Sequence, residues 1–226
     1  VLFRSMRQLR EGYRHDLAEL EQELLALGRL ADEAVRRALW ALQHGALDEA
    51  QAIVRRDNAI DDATDALTQH AMRLLATQSP VAGDLRLINA FIQAASELER
   101  IGDYAEGIAR LVPRFGGPPP GGVPELIERM AVSTHQMLNQ ALAALAARDP
   151  SINLRLKHED DAVDAAYEAL LEQQIALMER DPAMVRTGTF LLWVGHNLER
   201  IGDRATNIGE YVEYIVRGVR SSRDML

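Results

Sequence analysis

Leu98-Glu99-Arg100-Ile101-Gly102-Asp103 recurs without a change as Leu198-Glu199-Arg200-Ile201-Gly202-Asp203, and the match extends to Ala105/Ala205 and Ile108/Ile208. An identical hexapeptide repeated 100 positions later marks an internal duplication, and a duplication sets the unit of folding. Glu99 and Asp103 stand four apart, as do Glu199 and Asp203. On a helix that spacing puts both carboxylates on one face, one turn apart.

The surrounding sequence is helical in each half. From about Tyr13 to Gln43, Leu17, Leu20, Leu24, Leu27, Leu30, Val35, Leu39 and Leu42 recur at three and four, and His44-Gly45 ends the run. A second helix is expected over about Asp48–Thr77, with Ile53, Ile60, Leu67 and Leu74 at seven-residue steps. Ser79-Pro80 reads as a cap and first helical residue for a third helix, which carries the repeat and is expected to stop at Pro113. Phe115 to Pro124, Phe-Gly-Gly-Pro-Pro-Pro-Gly-Gly-Val-Pro, forbids helix or strand and reads as a linker. The second half replays the pattern: Leu126, Met130, Met137, Leu138, Leu142 and Leu145 point inward, and Asp149-Pro150 and Asp181-Pro182 open the next two helices. Short connections make neighbours antiparallel. The expected fold is therefore all-α, two tandem pseudo-symmetric three-helix bundles, up-down-up each. The expected boundaries are residues 6–114 and 125–218, joined by 115–124. Val1–Ser5 look unlike the rest of the chain and read as a remnant before a natural start at Met6.

The second helices carry matching acidic pairs, Asp57 and Asp61 in the first half, Asp160 and Asp164 in the second. Asn207 extends the Glu199/Asp203 face by one turn. At 100° per residue, Phe91, Ala94, Leu98, Ile101, Ala105 and Ile108 gather on one side of the third helix, with Glu99 and Asp103 roughly opposite. Two readings stand. One is a solvated face whose acids pair with Arg100, Arg55 or Arg56 and contribute little stability. The other is a hard-cation or iron site built from oxygen ligands on two helices, one in each half. Gly102 and Gly202 sit inside helices at a cost of about 1 kcal/mol each, which a close helix approach would explain.

Composition excludes several classes. Hydrophobic residues make up 47% of the 226, ample for a core, and only 5% are aromatic. There is no cysteine, hence no disulfide, thiolate metal site or cysteine nucleophile, which fits a reducing compartment. A net charge of −9 disfavours unspecific binding to nucleic acid or anionic lipid. Neither an 18-residue apolar run nor a signal peptide is visible, so a soluble cytoplasmic protein is expected.

At these residues the chain resembles the PhoU family of phosphate-signalling regulators, which shows a duplicated three-helix bundle with a Glu-Arg-Ile-Gly-Asp signature in each half. The signature falls on Glu99–Asp103 and Glu199–Asp203. Asp57–Asp61 and Asp160–Asp164 resemble the family's second-helix acidic motifs, and Pro80–Arg86 resembles the segment opening its third helix. The resemblance implies a non-catalytic regulator that restrains phosphate uptake and the phosphate-starvation response. It would act between the ATPase subunit of a phosphate ABC transporter and a phosphate-sensing histidine kinase, as a homodimer, touching membrane only through partners. It also implies multinuclear iron, or zinc, manganese, nickel or magnesium, held by the carboxylates, and no organic cofactor. The first half has Gly107, beside Glu106, where the second has Asn207, so the two sites need not be equal.

A ferritin-type di-iron oxidase needs Glu-x-x-His pairs. None of His15, His44, His70, His135, His158 and His196 has an acid three residues before it, although His158 and His196 lie near the acidic motifs. A phosphate-binding loop needs a lysine after glycines, and Lys157 is the only lysine, without such a loop. The remaining alternative is a helical adaptor, metal-binding or purely structural, unconcerned with phosphate.

Overall fold

The computed structural model describes residues 2–56 and 58–219, with side chains from 11 to 55 and from 58 to 219. The described elements are helices: α1 (Leu2–His44), α2 (Leu47–Arg56), α3 (Asn58–Gln78), α4 (Gly83–Phe115), α5 (Glu125–Ala147), α6 (Ile152–Arg180) and α7 (Val185–Arg217), the last preceded by a 3-10 turn at Pro182–Met184. Helices α1, α2–α3 and α4 pack as one three-helix bundle, and α5, α6 and α7 as a second. The expected second helix is present as α2 and α3, with residue 57 between them outside the described residues.

The apolar stripes build both cores. Ile53, Ile60, Leu67 and Leu74 are buried. Phe91, Ala94, Leu98, Ile101, Ala105 and Ile108 are fully enclosed, and each large one contributes on the order of 1.5–3 kcal/mol. A second set on α4, including Ile88, Ala95 and Ala109, is also enclosed, Ala109 beside Ala50 and Val54 of α2, while α7 packs along α4 at Gly107 and Phe115.

Several boundaries differ from expectation. Helix α1 begins at Leu2, well before Tyr13, and takes in Leu2–Ser5. Leu30 on α1 is exposed, and Leu126 on α5 is half-buried while Ile127 fills the core beside it. Pro113 does not stop α4: it lies inside the last turn, where its missing N–H removes one backbone bond, and Gly116 at φ 76° makes the stop. Nor do Ser79-Pro80 open α4. Ser79 and Ala82 both take positive φ, so a regular helix starts only at Gly83. Asp149 and Asp181 do turn the chain, each accepting the backbone N–H two residues on, at 3.0 Å, from Ser151 and Ala183.

The halves are packed together. Glu97 on α4 accepts from Arg204 at 3.2 Å and from the Tyr211 hydroxyl at 3.3 Å on α7, whereas Gly107 lies against Asn197. Positions advance along one helix as they retreat along the other, so α4 and α7 run antiparallel. On the α1–α5 side, His135 meets Asp32 at 2.6 Å and Arg148 meets Glu21 at 3.0 Å, with the Arg148 guanidinium over the Phe91 ring.

The glycine- and proline-rich connection is pinned as well. Pro119 is buried and accepts from the Gly122 N–H at 2.8 Å. Gly45, at φ 61°, turns α1 into α2, and a Cβ there would sit 2.5 Å from the Gly117 carbonyl carbon. Gly45→Ala therefore meets both a left-handed backbone and an immovable neighbour. It is expected to cost about 2–4 kcal/mol, a fall of roughly 4–12 °C in melting midpoint for a chain this size. Gly12→Ala, in α1 with open space around it, is expected to hold or raise the midpoint. Thermal denaturation followed by circular dichroism measures both.

Candidate functional site

With α1, α2 and α3 on one side of α4 and α7 on another, one strip of α4 still faces solvent. Glu99 is half-buried and Asp103 exposed on that strip. Asp61 of α3 stands alongside both. Burial pushes the Glu99 carboxyl above its usual range, and the charges of Asp61, Asp103 and Asp65 push it further against a small opposing pull from Arg100. Asp103 is raised in the same way, by burial first and then by Asp61 and Glu106. The first half thus brings Asp61, Glu99 and Asp103 together as the sequence predicts. Asp57 lies outside the described residues. Asp65 and Glu106, one turn beyond Asp61 and Asp103, belong to the same field; the four- and three-residue spacing could have found them.

The second half is built differently. Asp160 is buried, and its Oδ1 would lie 3.3 Å from a Cβ placed on Gly202. The motif glycine there leaves room for a carboxyl. In the first half Gly102 leaves room for Ile60, whose Cδ1 would be 2.8 Å from an added Cβ. Asp160, Asp164 and Asp203 line an open groove of about 820 Å³ between α6 and α7, joined by Asp161, Glu210 and Glu213, with Lys157 and Arg217 also on its walls. Glu213 accepts from Asn153 at 2.7 Å and pairs with Arg217. Asn207 is half-buried one turn past Asp203 and is not part of the groove wall.

Arg200 spans the second motif. Its Nε lies 3.2 Å from Glu199 and its NH1 donates to Asp203 at 3.0 Å, with Arg204 3.7 Å from the same Asp203 oxygen. His196 Nδ1 is 3.6 Å from Glu199. Burial still raises the Glu199 carboxyl; Arg200 pulls it down, Asp203 raises it, and His196 and Asp164 act more weakly in opposite directions. Among the described residues Arg100 forms no such ion pair with Glu99 or Asp103.

The donor set in the first half, oxygens only and mutually repelling, is the chemistry a hard cation takes. In the second half a guanidinium already lies between two of the oxygens. Among the described residues no group of three or more histidine or carboxylate side chains is arranged to hold a metal ion.

Fold and faces together define a tandem helical-bundle protein with one acidic face in each half. The PhoU domain model divides the chain the same way, matching residues 24–112 and again 127–212. The chain belongs to the PhoU family. It is 32% identical over 210 residues to the phosphate-specific transport system accessory protein PhoU homolog of Clostridium acetobutylicum, covering 92% of this chain and 96% of that one. The Synechocystis homolog of the same name is 34% identical over 211 residues, 93% and 94% of the two chains. Among solved structures, PhoU from Pseudomonas aeruginosa superposes with a TM-score of 0.86 at 32% identity, over 92% of this chain and all of that one. The phosphate transport system regulatory protein PhoU from Streptococcus pneumoniae gives the same score at 31% identity, over 93% and 99%. No described helix is long and apolar enough to cross a membrane.

The raised carboxyls make a signed prediction. A carboxyl that holds its proton to higher pH when folded loses stability as pH rises through the window between its unfolded and folded values, and is destabilising above it. Glu99→Gln should therefore raise the melting midpoint of metal-free protein at neutral pH, by roughly 2 °C given solvent screening at this half-buried position. The difference should shrink as pH falls through the usual carboxylate range. Glu199→Gln, which strips Arg200 of a partner, should gain less. A lower midpoint for Glu99→Gln, measured by calorimetry, would show that Glu99 stabilises the fold.

Proposed function

We propose that the chain is an accessory regulator of phosphate homeostasis, limiting phosphate uptake and the phosphate-starvation response when phosphate is plentiful. In this reading it is a cytoplasmic, non-catalytic homodimer linking the ATPase subunit of a phosphate ABC transporter to a phosphate-sensing histidine kinase. One observation carries it: the whole duplicated fold, both acidic motifs included, matches relatives named as accessory proteins of the phosphate-specific transport system over more than nine tenths of each chain. The helical adaptor without a role in phosphate is the alternative reading.

The acidic faces are proposed to hold hard or borderline cations, iron first, with zinc, manganese, nickel and magnesium as alternatives. Asp61, Glu99 and Asp103, with Asp57, would serve in the first half, and Asp160, Asp164, Glu199, Asp203 and Asn207 in the second. The raised carboxyls of Glu99, Asp103 and Glu199 support this, since an added positive charge would relieve the repulsion among them.

Two measurements test the reading. In a bacterium lacking its own PhoU, the chain should restore repression of a phosphate-starvation reporter in phosphate-rich medium; unrepressed reporter at normal protein levels refutes the phosphate role. Metal-free protein titrated with iron, zinc and manganese should take up metal and melt at higher temperature. A variant with Asp61→Asn, Glu99→Gln and Asp103→Asn should lose the first-half share of that uptake, and equal uptake by both proteins refutes the first-half site.

A further inference from the structure

The cleft between α6 and α7 does not end with its carboxylates. One turn past Asp164 on α6 stands Tyr167, and one turn before Glu199 on α7 stands His196, preceded by Trp193. Tyr167, Thr189, Leu192, Trp193 and His196 line a second hollow of about 240 Å³. Trp193 is 58% exposed. The His196 ring lies edge-on to it at 6.4 Å between centroids and 6.2 Å from the Tyr167 ring. Gly195 seats Tyr167 against α7: a Cβ there would be 3.1 Å from its ring and 2.5 Å from Leu170.

The fold does not demand these rings. At the matching positions of the first half stand Thr64 for Tyr167, Gln93 for Trp193, Ser96 for His196 and Ala95 for Gly195, and that bundle is packed all the same. The matching first-half positions carry no ring, and the hollow of the second half lies at the end of an acidic groove. Tryptophan and tyrosine are enriched among the side chains that carry binding energy at protein interfaces.

We propose that this face docks a cationic amphipathic helix of a partner protein. An apolar side chain enters the hollow beside Trp193 and Tyr167, and arginines or lysines over the next five turns or so meet the carboxylates of Asp164, Asp161 and Glu210. Charge complementarity selects this occupant. The groove is dominated by carboxylates, so the same face of a second copy would bring acid against acid here. From Trp193 to Glu210 is about 26 Å along α7, the length of a helix of about 18 residues. The inference rests on the adaptor role proposed above and needs neither phosphate nor metal.

The test uses the full chain with Trp40→Phe, leaving Trp193 as the only tryptophan, in buffer with chelator. The probe is a synthetic helical peptide of about 18 residues with one leucine anchor and arginines on the same face at the following turns. Its emission titration should saturate and weaken steeply with added salt. By calorimetry, Trp193→Gln and His196→Ser, which restore the first-half residues, should each lower affinity about tenfold or more with an unchanged melting midpoint. Four outcomes overturn the inference: no saturable change, equal binding of the peptide with arginine replaced by glutamate, full binding by Trp193→Gln, or a peptide-free dimer that Trp193→Gln dissociates. Failed reporter repression with intact peptide binding would sink the phosphate reading alone; the converse would sink this inference alone.

Discussion

Each third helix is packed from two directions at once, and the rest of the molecule depends on that. Helix α4 is held by its own bundle and by α7, and α7 by its own bundle and by α4. Small residues such as Ala95, Ala109 and Gly209 let neighbours approach closely. Within the seam Glu97 accepts from both Arg204 and Tyr211, while the Arg204 Nε is buried without a hydrogen-bond partner. What remains open on each helix is a single strip, and each strip carries the acidic motif. The position of the motif is thus a consequence of packing as much as of chemistry.

The two copies of one hexapeptide meet different surroundings. Gly102 admits an isoleucine and Gly202 a buried aspartate. Arg200 bridges both motif acids, while Glu99 and Asp103 repel Asp61 and each other with little relief. Carboxylates pushed above their usual range weaken a fold at neutral pH. Burial and like charge thus set Glu99 and Asp103 against stability at neutral pH.

Much of this architecture was legible before any coordinates. The hexapeptide gave the duplication, and the seven-residue stripe from Ile53 to Leu74 gave a buried face that the structure confirms. The Asp61–Glu99–Asp103 grouping followed from two i, i+4 spacings and the expectation of adjacent helices. Boundaries fared worse, because Pro113 near a helix end loses only one bond and because a positive φ at Ala82 leaves no sequence signature. The linker reading missed that Gly45 and Gly117 touch, a contact between loops that periodicity cannot express. Nor did residue types show which arginine would fold back. Arg100 and Arg200 sit in the same six residues, so their difference lies outside the hexapeptide, where Tyr104 and Ser96 of one half correspond in sequence position to Arg204 and His196 of the other.

That difference makes the two faces unlike as destinations for positive charge. If cations bind as proposed, one arriving at the first face would add its whole charge to a field in which, among the described residues, Arg100 forms no ion pair with Glu99 or Asp103. On the second, Arg200 would have to swing away first, so an incoming divalent ion would improve the balance by only one unit and give up two ion pairs to do it. Occupancy there would be an exchange whose by-product is a released guanidinium at the protein surface, ready to meet an anion. A single polypeptide would then hold a plain receptacle and a displaceable one side by side, built from the same six letters.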